Sequence, residues 1–90
     1  MEQTKLYLVA TLIEYSDNVS DGHSLYRNIE DASNAMKQEI ADCRENFNAD
    51  SLEVLADYPR YVEERAQDGY GFQVSIEEVV PQFPQFRRFR

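Results

Sequence analysis

Asp21, His23 and Ser24 place an acid, a base and a hydroxyl within four residues, the three side-chain types from which a nucleophilic hydrolase builds its centre. That chemistry requires the imidazole within hydrogen-bond reach of the hydroxyl. His23 and Ser24 are neighbours in a segment that reads as extended, and successive side chains of a strand leave on opposite faces, so the pair does not converge. A histidine beside a turn is the expectation. Asp17, Asn18 and Asp21 could offer oxygens to calcium, but they lack the alternating ligands and closing glutamate of an EF-hand loop.

The acid pairs Glu63-Glu64 and Glu77-Glu78 resemble the carboxylates of a glycosidase only in composition, because neighbours on a strand face apart. The single cysteine, Cys43, can form no disulfide within the chain and fits no zinc spacing. It falls on the apolar stripe of a helix, where burial raises a thiol pKa and makes it a small hydrophobe. The three glycines match neither GxGxxG nor GxxxxGK spacing, so no phosphate loop is present. No catalytic, cofactor or metal residue is assigned, and the chain is read as a non-enzyme.

The helix that carries Cys43 holds the more informative pattern. Ile29, Ala32, Met36, Ile40, Cys43 and Phe47 recur at three- and four-residue steps and form one apolar stripe. Spacing residues at about 100° puts Lys37 and Arg44 on one flank of that stripe and Asp31, Glu39, Asp42 and Glu45 on the other side. Glu39, Asp42 and Glu45 crowd the C-terminal half, where the macrodipole favours cations and each acid costs a few tenths of a kcal/mol. Asp42 also lies three residues from both others, which adds like-charge repulsion. Charge kept against helix stability points to an outside cationic partner; a solvated acidic face that serves solubility is the competing explanation.

Positioning that helix requires a sheet. "KLYLVATLIEY", residues 5–15, has two alternating apolar sets, Leu6, Leu8, Ala10 and Leu12 against Tyr7, Val9, Ile13 and Tyr15. This predicts a central strand covered on both faces. Asp21-Gly22 supplies the chemistry of a tight turn into "HSLYRN". Asn28 and Asp31 form a looser relative of the capping box, opening a helix of nineteen residues, about 28 Å, against a first strand of about 36 Å.

After the helix, Leu52, Leu55 and Ala56 read as a short helical turn ended by Pro59. In "RYVEERAQDGYGFQVSIEEVV" either Pro59 opens a second helix through "RYVEERA" or Asp68-Gly69 joins two strands; the hairpin is favoured because Phe72, Val74 and Ile76 alternate strictly and a three-residue loop would set Val62 opposite Ile76 and Ala66 opposite Phe72. The helix propensity of "VEERA" competes with that reading. The expected fold is α+β: a small antiparallel sheet in the order β-β-α-β-β with one long helix on one face and an extended C-terminal tail. Residues 1–80 are expected to form one compact domain and residues 81–90 the tail.

That tail, "PQFPQFRRFR", changes the charge character of the chain. The 90 residues carry a net charge of −8, yet residues 1–80 hold six basic against seventeen acidic side chains, a net of −11. Pro81 and Pro84 disfavour a central strand, and Phe83, Phe86 and Phe89 align on one edge of a three-per-turn polyproline helix. Phe83, Phe86, Arg87, Arg88, Phe89 and Arg90 are candidates for self-association, by folding over the sheet or docking on another copy. Arg-rich segments with aromatics also bind nucleic acid, but an acidic body opposes a polyanion and ranks that partner lower.

One small domain, no oxidising-compartment signature and an apolar segment far short of the ~20 residues of a membrane span give a soluble, cytoplasmic expectation with no membrane partner. The functional expectation is a small acidic protein-binding module, an inhibitor or adaptor with the charge character of a nucleic-acid mimic, that recognises a basic protein surface. A self-assembling structural protein that forms a homo-oligomer through its aromatic-basic tail is the alternative.

Overall fold

A computed structural model describes residues 5–47 and 49–80. Five antiparallel strands form one open sheet in the order β2-β1-β5-β4-β3: β1 Leu6–Glu14, β2 Val19–Tyr26, β3 Glu53–Tyr58, β4 Tyr61–Arg65 and β5 Gly71–Val79. One helix, α1 Ile29–Glu45, connects β2 to a 3-10 turn at Ala49–Ser51 and lies on one face. The fold is α+β.

The strict alternation of β5 decides which face the helix covers. Phe72 and Val74 are fully buried and Ile76 nearly so. Their cross-strand partners Ile13, Thr11 and Val9 on β1, with Val62 and Glu64 on β4, share that face. Ala32, Met36 and Cys43 of α1 close the core from above, and Ile40 and Phe47 pack at its margin. Each fully buried Val, Ile or Phe contributes roughly 1.5–3 kcal/mol relative to exposure, so the helix is held by its stripe. Asn28 caps it: the Asn28 Oδ1 accepts from the Asp31 N–H at 2.8 Å while its Nδ2 donates to Asp31 Oδ2 at 3.1 Å.

The first strand is interior rather than central, and β5 takes the middle. Its set Leu6, Leu8, Ala10 and Leu12 lies on the face away from α1, where it is half-buried. The first hairpin turns at Ser16-Asp17, closed by the Tyr15 N–H donating to the Asn18 carbonyl at 2.8 Å, and not at Asp21-Gly22. Turning early gives β2 eight cross-strand pairs with β1, with Asp21 opposite Leu12 and Gly22 opposite Thr11. A turn at Asp21-Gly22 would have left it half that ladder.

Residues 53–58 form a strand, not a helical turn. The bulge between Val54 and Ala56 breaks the two-residue period of β3, which is why Leu52, Leu55 and Ala56 showed helical spacing. Of residues 59–67, Tyr61–Arg65 form the strand that joins the hairpin, with Val62 opposite Val74 and Glu64 opposite Phe72. The loop is Gln67-Asp68-Gly69, flanked by Ala66, whose N–H donates to the Tyr70 carbonyl at 2.8 Å, with Gly69 at φ 93. The register is two residues from the expected one, and a two-residue shift preserves faces, so the inward set is unchanged. The helix has seventeen residues rather than nineteen and the first strand nine rather than eleven. Among the described residues no helix is long and apolar enough to cross a membrane. The tail residues Phe83, Phe86, Arg87, Arg88, Phe89 and Arg90 lie outside the described residues.

Candidate functional site

The two flanks of α1 meet different parts of the sheet. On the basic flank, Arg44 reaches β4: its Nε donates to Oε1 of Glu64 at 3.0 Å and its Nη2 pairs with Oε2. Glu64 is buried at 3% exposure, and this pairing, against the cost of burial, raises the Arg44 pKa. On the acidic flank, Glu39 reaches β1, where its Oε1 accepts from the buried Thr11 hydroxyl at 2.9 Å. Ion pair and hydrogen bond together fix the rotation of the helix about its axis.

The helix packs chiefly on β1 and β5, and Val19–Leu25 of β2 stay exposed beside it. A cleft of about 230 Å³ opens there, lined by Val9, Thr11, Gly22, His23, Ser24 and Glu39. Gly22 and Ser24 are opposite Thr11 and Val9, so the cleft floor is built from small and hydroxyl side chains. With one Glu39 oxygen held by Thr11, the carboxylate is oriented and keeps its other oxygen as an acceptor.

The four acids predicted from the sequence divide by position. Asp31 caps the first turn with Asn28, Glu39 walls the cleft, and Asp42 accepts from Gln38 Nε2 at 2.9 Å along the helix surface. Glu45 is exposed and has no hydrogen-bond or ion-pair partner among the described residues. Asp31, Glu39, Asp42 and Glu45 are all on α1, with Asp42 three residues from both Glu39 and Glu45. The ion pairs of the described residues engage Glu14, Glu63, Glu64 and Glu78, and none engages these four acids.

No family model, curated protein or solved structure matches the chain. The geometry therefore carries the functional reading alone.

The remaining candidates find ordinary environments. His23 and Ser24 are successive residues of β2, opposite Ala10 and Val9, and leave on opposite faces. Asp17 lies in the hairpin loop and Asp21 within β2, and among the described residues no group of three His, Cys, Asp or Glu side chains could hold a metal. Cys43 is buried; burial, then the Glu39, Asp42 and Glu64 carboxylates, pushes its thiol up to about 11. Glu63 faces away from Glu64, accepting from Arg65 Nε at 2.6 Å and the Tyr61 hydroxyl at 2.7 Å, which hold its pKa below the usual value.

Thr11 was not singled out by the sequence reading, and Glu64, Gly22 and Ser24 were considered only for other roles, as one of a pair of acids, as a turn residue and as a candidate nucleophile. Thr11 left a signal, a lone hydroxyl inside the apolar set Tyr7-Val9-Ile13, and Glu64 left another, a carboxylate at an inward position of β4. A buried charge demands a partner of opposite sign, and Arg44 was the flank residue able to supply it.

Proposed function

We propose that the chain is a small acidic protein-binding module, an inhibitor or adaptor, that docks the acid-rich flank of α1 onto a basic protein surface. The observation that carries this reading is the set Asp31, Glu39 and Asp42. They lie on one helix, Glu39 walls an open cleft, and no cation of the described residues pairs with any of them. A guanidinium or ammonium group entering the cleft would meet the free oxygen of Glu39, with Asp31 and Asp42 flanking the approach. Charge complementarity of this kind accelerates encounter and makes binding salt-sensitive. In charge it resembles a nucleic acid, and a nucleic-acid-binding surface is the type of partner it suits. Binding, not catalysis, is the proposed activity.

The test uses arginine-rich and lysine-rich peptides against the full chain at low and high salt. The expected result is binding that weakens at least about tenfold as salt screens the charges. Replacing the flank acids (Asp31→Asn, Glu39→Gln, Asp42→Asn) should abolish it. A control of equal charge change (Asp17→Asn, Glu53→Gln, Asp57→Asn) should bind like the wild type. If both triple variants weaken equally, diffuse charge and not this flank attracts the peptides, and the proposed site is wrong.

A further inference from the structure

The edge strand β2, whose Gly22, His23 and Ser24 also line the cleft beside Glu39, presents a second surface along its outer side. Among the described residues the sheet has two free edges, β2 and β3, and they are built differently. β3 carries a bulge between Val54 and Ala56 and the acids Glu53 and Asp57, features that discourage another strand from adding to it. β2 runs in unbroken register with β1 over eight residues, without bulge, proline or lysine. Both edges expose large apolar side chains, Val19 and Leu25 on β2 and Val54, Leu55 and Tyr58 on β3, so regularity is what separates them. An unprotected, regular edge is a template for strand addition.

Hydrogen-bond parity limits how a second strand could add. Tyr15 and Asn18 close the hairpin as a hydrogen-bonded pair, so bonded pairs with β1 continue at Ser20, Gly22, Ser24 and Tyr26. Val19, Asp21, His23 and Leu25 therefore turn their N–H and C=O groups outward. In an antiparallel pairing of two copies, outward groups must meet outward groups, so the two-fold axis must pass through a residue. Centring it on Asp21 sets Asp21 against Asp21 of the other copy, a like-charge clash, and centring it on His23 sets Asp21 against Leu25. Centring it on Gly22 produces a complementary set: Val19 with Leu25, Ser20 with Ser24, Asp21 with His23 and Gly22 with itself. About Gly22 the segment "VSDGHSL" sets like against like at Val19/Leu25 and Ser20/Ser24, and a carboxylate against an imidazole at Asp21/His23.

We infer that β2 is a homodimerisation edge: two copies of this chain pair antiparallel through residues 19–25, with the two-fold axis at Gly22. The product is a continuous ten-stranded sheet. Val19, Asp21, His23 and Leu25 lie on the face away from α1, because their neighbours Ser20, Gly22 and Ser24 share the face of Ile13, Thr11 and Val9. The pairing thus covers both exposed apolar residues of β2 and joins Asp21 to His23 twice. A two-fold axis perpendicular to the sheet puts both helices on one side. This inference goes beyond the binding reading above and does not rest on it.

The experiment is sedimentation equilibrium of the full chain over a wide concentration range, with charge-swap variants at positions exposed in the monomer. The wild type should approach twice the 10.5 kDa chain mass. Asp21→Lys alone or His23→Glu alone should raise the dissociation constant about tenfold, since each substitution spoils two symmetry-related cross-strand pairs. The double variant Asp21→Lys/His23→Glu should restore dimerisation by pairing Lys with Glu. Gly22→Cys should form a disulfide-linked dimer on oxidation, and Ser20→Cys should not. A chain that stays monomeric, a double variant no better than the singles, or a dimer that ignores β2 changes but vanishes on truncation after Val80 would each overturn the inference. Added salt should leave or strengthen the dimer by screening the repulsion between two acidic copies, whereas it weakens binding of a basic partner, so the two readings fail separately.

Discussion

Arg44 of α1 and Glu64 of β4 are joined by a two-point ion pair in which the carboxylate is buried and the guanidinium half-exposed. It is the polar contact that docks the basic flank of the helix, as the Thr11 to Glu39 hydrogen bond docks the other. Removing Arg44 leaves a buried carboxylate alone. Arg44→Ala should therefore destabilise by about 3–5 kcal/mol in urea unfolding, and Arg44→Met/Glu64→Leu should recover most of that loss. A double variant as unstable as the single would show that packing at this point, and not charge, sets the cost.

Two glycines separate cleanly by environment. A Cβ on Gly71 would run into the Glu64 carbonyl oxygen and approach Arg65 Cα at 2.7 Å, whereas one on Gly22 meets nothing within 4 Å. Gly71→Ala should cost about 1–3 kcal/mol because neighbouring backbone must move. Gly22→Ala should stay within about 0.5 kcal/mol of the wild type. Thermal or urea unfolding of both variants measures the contrast.

Cys43 makes the alkaline limb of stability testable. Its folded pKa is raised to about 11 from 9.0, first by burial and then by the Glu39, Asp42 and Glu64 carboxylates. A raised pKa contributes stability that is fully present below the unfolded value and is lost as pH rises through the folded one. Between pH 9 and 11 the wild type should lose stability more steeply than Cys43→Ala. In native buffer at neutral pH the thiol should also resist a thiol reagent until denaturant is added.

The acid limb has the opposite sign. Glu63 has its pKa lowered chiefly by the Arg65 hydrogen bond and then by Tyr61. Stability from a depressed carboxyl is present above its unfolded pKa and lost as pH falls through the folded one. Glu63→Gln should flatten the loss of stability below the ordinary carboxylate range of about 4.5. An unchanged acid limb would mean that the Arg65 contact is too solvated to matter.

Periodicity made the main elements legible in the sequence. The stripe Ala32-Met36-Cys43 and the alternation Phe72-Val74-Ile76 were readable because each reports only on its own strand or helix, through fixed steps of 3.6 and two residues. The Asn28 cap was readable for the same local reason. What local periods could not supply was pairing. The bulge in β3 disguised a strand as a helical turn, and Asp21-Gly22 had turn chemistry in a segment that cross-strand pairing with β1 drew into a ladder.

The candidate site divides along the same line. Sequence spacing alone sorted acids from bases around α1, since angular position on a helix follows from counting. Which flank faces an open cleft, which acid is oriented by Thr11 and which base is consumed by Glu64 depended on contacts between residues 28 and 20 positions apart. Such contacts exist only once the sheet has chosen its strand order and register, because a strand's free edge and a helix's free flank are defined by what does not pack there.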